Sequence, residues 1–324
     1  MKNVAIAIAV VLAISSLLAK PSIAQKYPNQ TVRIVVPYTA GGPVDFVGRS
    51  LQQKLQEGWG QTIVFDNRPG ASAMIVSSFV ARSAPDGYTL LIGGAQTHAM
   101  NVATVKKMMY DPVADFTPIS QLTGTSWILV THPSLGVKTP SELVELIKVN
   151  PGKYSYASSG VGGVAHLGFE MLSSSLGLKL AHVPYKGTSQ AVNDVLAGHT
   201  PMMMGDQSTL LPHINSGRLI AIAMTGDKRS PHAPTVPTIA ESLVPGYNIQ
   251  SWQGLWGPVG MDPKLAQRLN DDFRKALQTP EVVAQLRSSG YEPVASSIAD
   301  FKKFIDSEIK QWTTGAKAAG IEPQ

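Results

Sequence analysis

Two stretches of this sequence have the residue types and spacing to hold an anion. They are Val35-Val36-Pro37-Tyr38-Thr39-Ala40-Gly41-Gly42-Pro43-Val44-Asp45 and Tyr156-Ala157-Ser158-Ser159-Gly160-Val161-Gly162-Gly163-Val164-Ala165-His166. Each reads as a strand, a glycine loop and a helix start. Glycine lets backbone N–H groups turn inward with no Cβ in the way, and a helix N-terminus adds unpaired donors with a partial positive charge. One such loop more often merely turns the chain; two of the same design favour anion binding. Asp45, in the first turn after Gly41-Gly42, reads as a structural carboxylate that satisfies local N–H groups. His166 is read as a packing residue or a ligand donor, with a catalytic base as the remaining alternative. Asp206 follows the apolar run Met202-Met203-Met204-Gly205, at the C-terminal end of a buried strand, where open α/β sheets bind ligands. It is read as a pocket residue, with a loop cap as the alternative.

Other chemistries lack their parts. Gly160-x-Gly162-x-x-Ala165 has the form of a dinucleotide fingerprint, but the next strand ends His182-Val183-Pro184-Tyr185-Lys186, without the acid that would bind a ribose. Gly187-Thr188-Ser189-Gln190-Ala191 resembles a nucleophile elbow that ends in alanine, and Ser189 reads instead as a helix N-cap. The seven histidines form no HExxH or other close ligand pair, and there is no GxxxxGK[ST]. With no cysteine there is no disulfide, thiolate zinc site or thiol nucleophile. No catalytic residue, metal or cofactor is expected.

Short β-branched runs alternating with helix-period stretches give an α/β class. Expected strands are Val32 to Val36, Thr62 to Phe65, Tyr88 to Ile92, Trp127 to Thr131, Tyr154 to Ala157, Ala181 to Val183, Leu219 to Met224 and Ser251 to Gly257. Expected helices include Ser141 to Val149, Val164 to Leu176, Ser189 to Ala197, Pro263 to Gln278 and Ile298 to Ala318. After Gly42, Val44, Val47, Leu51 and Leu55 share one helical face. Proline-dense stretches, Asp111 to Pro118 and Pro231 to Pro245, read as connectors. The mostly helical last 80 or so residues cannot easily build a sheet alone. They are expected to pack back on the N-terminal unit, giving domain 1 from 25–124 and 246–324 and an inserted domain 2 at 125–245.

Lys2, the apolar run Val4 to Ala19 and Ser22-Ile23-Ala24 form a secretory signal peptide, 1–24, cut before Gln25; an uncleaved anchor is the alternative. The 324 residues carry 27 basic and 22 acidic side chains, and loss of Lys2 and Lys20 leaves a net charge of about +3. The basic residues are dispersed, which argues against nucleic acid and suits an anionic small ligand.

The loops belong to a wider set of motifs: Val36-Pro37-Tyr38-Thr39-Ala40-Gly41-Gly42 with Asp45 and Arg49, Asn67-Arg68-Pro69-Gly70-Ala71, Ala84-Pro85-Asp86-Gly87-Tyr88-Thr89-Leu90, Ser159-Gly160-Val161-Gly162 with His166-Leu167, Val183-Pro184-Tyr185-Lys186-Gly187, Pro234-Thr235-Val236-Pro237-Thr238 and Trp252-Gln253-Gly254-Leu255. In this combination the chain resembles the Bug family, the TctC-like receptors of tripartite tricarboxylate transporters. The resemblance covers essentially the whole mature chain.

It implies a type II periplasmic binding protein fold, two α/β domains closing over a carboxylate in the cleft between them. It also implies a carboxylate held by backbone groups, partly through ordered waters, at Tyr38, Thr39, Ala40, Gly41 and Gly42 facing Ser158, Ser159, Gly160 and Gly162. With His166 and Asp206 these form the expected ligand site. The expected partners are a small organic carboxylate, aliphatic or aromatic, and the membrane permease subunits of such a transporter. The receptor is expected to be periplasmic and monomeric. A secreted serine hydrolase and a sensor partner of a membrane kinase are the alternatives. Two departures stand out: the family usually has another glycine where this chain has Ser72-Ala73-Met74, and an acidic residue is common near Thr200 or Pro201.

Overall fold

The computed structural model describes residues 27–70, 73–318 and 320–323. The expected leader and its cleavage site lie outside the described residues. Among the described residues no helix is long and apolar enough to cross a membrane.

The strands are β1 (Val32–Val36), β2 (Ile63–Asn67), β3 (Thr89–Gly94), β4 (Phe116–Thr131), β5 (Ser155–Ser158), β6 (Ala181–Pro184), β7 (Met202–Asp206), β8 (Ile220–Met224), β9 (Gln250–Pro258) and β10 (Glu292–Pro293). The main helices are α1 (Pro43–Trp59), α2 (Met74–Ala81), α3 (Asn101–Thr104), α4 (Pro140–Lys148), α5 (Val164–Leu176), α6 (Thr188–Leu196), α7 (Gln207–Asn215), α8 (Ile239–Ser242), α9 (Pro263–Leu277), α10 (Pro280–Ser288) and α11 (Ile298–Ala318). This is a mixed α/β architecture. The strands hydrogen-bond in the order β2-β1-β3-β9-β4-β7-β5-β6, with β8 and β10 added along β4.

β1 pairs parallel with β2 and β3, whose helices pack on the sheet, and β9 returns antiparallel between β3 and β4. β9, in the C-terminal part of the chain, thus extends the sheet begun by the first strands. β4 belongs to two sheet regions. From Phe116 to Ser126 it pairs with β9, and from Trp127 to Thr131 it pairs with β7 and β8, antiparallel in each case. β5 then runs parallel to both β6 and β7.

The first half of β4 corrects the sequence reading, which placed a connector at Asp111 to Pro118 and a strand only from Trp127. Serine, threonine, glutamine and glycine dilute the apolar pattern there, yet most of the stretch is buried. Burial is tolerated because the polar groups are bonded: Ser120 donates to the Ser296 carbonyl, Thr123 to Gln253 and Thr125 to the Gly290 carbonyl.

α1 buries Val44, Val47, Leu51 and Leu55 against the first region, as their spacing predicted. One buried cluster runs through both regions. It joins Val35 and Leu91 to Trp252, Trp256 and Trp312, and these to Tyr156, Phe169 and Met204. Ser189 is also corrected: α6 starts from Gly187, at φ +155°, with no side-chain cap, which leaves Ser189 as the second helical residue.

Candidate functional site

The two glycine loops are built alike at the level of backbone angles. In the first, Gly41 has φ +77° and Gly42 is the N-cap of α1 with φ −76° and ψ 172°. In the second, Gly162 has φ +75° and Gly163 is the N-cap of α5 with φ −80° and ψ 168°. Neither cap has a side-chain hydrogen bond, so each helix presents first-turn N–H donors without a capping oxygen. A left-handed residue followed by an extended one is the turn that only glycine makes without strain.

Both loops are tied from the first turn of their own helix, four residues on. The Gly41 N–H donates to Asp45 Oδ2 at 2.8 Å, and the Gly162 N–H donates to His166 Nδ1 at 3.1 Å. Gly42 N–H donates to the Thr39 carbonyl at 3.2 Å, and Gly160 N–H to Ser158 Oγ at 3.2 Å. Four glycine N–H groups expected to face a ligand are therefore committed inside the loops. Arg49 Nε–H also donates to Asp45 Oδ2 at 2.8 Å, and the Asn67 amide donates to the Tyr38 carbonyl at 3.1 Å, fastening the first loop to the end of β2. Burial would raise the Asp45 carboxyl, but the bonds from Arg49 and Gly41 outweigh it and hold it below the usual carboxylate value.

The loops meet across a cleft of about 430 Å³, lined by Pro37, Tyr38 and Thr39 on one side and by Ser159, Gly160, Val161 and Gly163 on the other. Pro69, Gly70 and Ala73 of the turn after β2 close one end, together with Gln96. This lining holds no lysine, arginine or carboxylate. Charge on a ligand there is met by N–H and hydroxyl dipoles and helix ends rather than by an ion pair.

Of the expected site residues, Tyr38, Thr39, Ser159 and Gly160 line this cleft, and Ala40, Gly41, Gly42 and Gly162 are their chain neighbours. Ser158 is buried, its hydroxyl occupied by Gly160 and His182. His166 is buried too, bonded to Gly162 and stacked on His182. Asp206 stands apart from the lining, at the N-cap position of α7 but without a cap bond, its carboxyl pushed up to about 6 by burial against a smaller opposing pull from the Trp127 indole.

The sequence reading left Pro69, Gly70, Ala73 and Gln96 out of the expected ligand site. The first three fall in or beside a quoted motif, and Gln96 carried no spacing signal because it enters from β3. Ala73 sits at φ +66° in the segment where the resemblance leads one to expect glycine. An alanine there costs about 1 kcal/mol and sets a methyl in the cleft wall. Among the described residues no hydrogen bond joins Ser189 to a histidine.

Comparison with known proteins agrees with this architecture. The family model TctC, described as Tripartite tricarboxylate transporter family receptor, matches residues 47–321. Protein BugT of Bordetella pertussis is 34% identical over 306 residues, covering 93% of this chain and 94% of that one. Among solved structures, Rpa4515 of R. palustris with adipate superposes with a TM-score of 0.81 at 34% identity, over 92% of this chain and 100% of that one. MatC from Rhodopseudomonas palustris with bound malate gives 0.75 at 29% identity, over 89% and 99%. The fold is that of the periplasmic binding proteins, and the class is one of receptors rather than enzymes. By the extent of the family match and of these relatives, the chain belongs to the tripartite tricarboxylate transporter receptor family, with the Bug proteins among its members.

Proposed function

We propose that the protein is an exported receptor, released by cleavage after Ala24, that captures an organic carboxylate between its two glycine loops and presents it to membrane transport subunits. The observation that carries this reading is the pair of like-built loops facing each other across one cleft free of charged side chains. The two sheet regions act as two domains, 25–124 with 246–324 and 125–245, joined where β4 and β9 pass between them. Closure brings both helix starts onto one carboxylate. With Gly41, Gly42, Gly160 and Gly162 N–H groups engaged within the loops, the contacts pass to Tyr38, Thr39 and Ala40 on one side and Ser159, Val161 and Gly163 on the other. The carboxylates in two related structures, adipate and malate, point to the same chemical class.

A thermal-shift screen of the mature protein against aliphatic and aromatic carboxylic acids tests this. A binding acid at about 100 times its Kd adds roughly 2.7 kcal/mol, a shift of a few degrees. The methyl ester of the best acid should bind at least about tenfold more weakly, because a hydrogen bond to a charged acceptor is worth roughly 1.5 to 3 kcal/mol against about 1 to a neutral one. Equal calorimetric affinities for acid and ester would refute the dipole-lined carboxylate site.

A further inference from the structure

The two loops share a fastening but not its chemistry. In the first, the acceptor for the glycine N–H is the Asp45 carboxylate, with Arg49 one turn farther along α1. In the second, the acceptor is an imidazole, His166, with Glu170 at the same four-residue spacing along α5. The His166 ring stacks on His182 of β6, with centroids 4.0 Å apart and planes 16° apart, and His182 in turn stacks on Tyr156 of β5 at 5.0 Å. His182 Nε2 lies 2.6 Å from Ser158 Oγ, which also lies 3.0 Å from the Gly160 carbonyl and 3.2 Å from the Gly160 N.

These contacts suit one arrangement of protons. With the single Ser158 hydroxyl hydrogen on the Gly160 carbonyl, its lone pairs accept from the Gly160 N–H and, in the Nε2-protonated tautomer we assign to His182, from Nε2–H. His166 accepts the Gly162 N–H at Nδ1, so Nδ1 carries no proton. One imidazole thus holds Gly162 directly and the other holds Gly160 through Ser158.

We propose that His166 and His182 are positioning residues, a stacked pair of neutral imidazoles that latch the second loop in its binding geometry and release it when protonated. This rests on the carboxylate-receptor reading above, but concerns what holds the loop and not what fills it. A proton on His166 Nδ1 removes the acceptor of the Gly162 N–H, and two imidazolium rings at this spacing repel. The charged and titratable neighbours are Glu170 on α5, which attracts a proton to His166, and Tyr156 on β5, whose hydroxyl donates to Glu170. Burial lowers His166 against the smaller pull of Glu170, and burial followed by His166 lowers His182 to about 4. With both groups depressed below 6.5, the latched form is fully favoured above that pH and loses ground as pH falls through the lowered values.

In the ligand-free protein, imidazole 15N shifts should show the two rings neutral with the proton on Nε2, and both should titrate below 6.5. His182→Phe keeps a ring in the stack but loses the donor. It should speed Gly160 amide exchange about tenfold or more and weaken binding of the acid giving the largest melting shift by a similar factor, with His182→Gln restoring both. Wild-type affinity should be level above about pH 6.5 and fall as pH drops through the lowered values towards about 4. His166→Asn, whose amide oxygen accepts at every pH, should flatten that limb; ionisation of the acid itself is common to both proteins and cancels in their ratio. A proton on His166 Nδ1 at neutral pH, a midpoint at or above the ordinary 6.5, or unchanged Gly160 exchange in His182→Phe overturns the latch. If no acid binds, the receptor reading fails while the imidazole shifts still decide the latch.

Discussion

Gly160→Val should weaken carboxylate capture by at least about a hundredfold, with melting temperature lowered by only a few degrees. Gly160 has φ +146°, a conformation open to glycine and costing a branched residue about 1 to 3 kcal/mol. Relief of that strain moves the loop, and each charge-assisted hydrogen bond then lost from the ligand forfeits roughly 1.5 to 3 kcal/mol. Together these exceed the roughly 2.7 kcal/mol of a hundredfold change. Gly41→Val should act similarly through φ +77°, and there the effect is purely conformational, since a Cβ at Gly41 meets no atom within 4 Å. Ser189→Ala is the control and should leave affinity unchanged, because α6 is not capped by Ser189. Calorimetry on the three variants decides: normal binding by both glycine variants would remove the two-loop site.

Glu308→Leu should destabilise the protein by about 2 to 6 kcal/mol, the sum of two orphaned hydrogen bonds. One oxygen, Glu308 Oε2, accepts the indole N–H of Trp252 at 2.7 Å and of Trp312 at 3.0 Å, and the side chain is buried between β9 and α11. Leucine leaves two buried indole donors unpaired at about 1 to 3 kcal/mol each. Glu308→Gln keeps an acceptor at that position and separates charge from geometry. Burial pushes the Glu308 carboxyl above 4.5, outweighing the two indole bonds. The raised value means that the contribution of Glu308 to stability is fully present below the unfolded carboxyl value and is lost as pH rises through the folded one. The glutamine variant should lack this slope. Urea melts from about pH 4 to about 8 would show it; a Glu308→Leu variant as stable as wild type would leave the indole bonds without weight.

Much of the fold was legible because its periodicities are unmixed. α5 and α11 carry their apolar faces at helical spacing, and β1 is a β-branched run that ends at a proline. The first half of β4 was not, because its buried positions are polar and their partners, Gln253, Gly290 and Ser296, lie more than a hundred residues on in the chain. The loops were legible as a repeated design, and Asp45 and His166 were each singled out, but not as counterparts. Their shared role depends on Gly41 and Gly162 both adopting positive φ, which turns an N–H back towards the helix; sequence spacing alone does not orient it. Gln96 and Ala73 reach the cleft only through the order in which β1, β2 and β3 pair.

The buried cluster that passes from Val35 and Leu91 through the tryptophans of β9 and α11 to Phe169 and Met204 has a thermodynamic consequence. Two lobes with separate cores could melt one after the other. Here each sheet region keeps a cluster of its own, around Val32, Ile34 and Leu51 in the first and around Ile128, Val130 and Val192 in the second, but the cluster they share couples them, so loss of either strips apolar surface from its neighbour. A scanning calorimeter should record a single endotherm with equal calorimetric and van't Hoff enthalpies, and a ligand gripped at the cleft raises the heat tolerance of the entire chain rather than of the loops it touches.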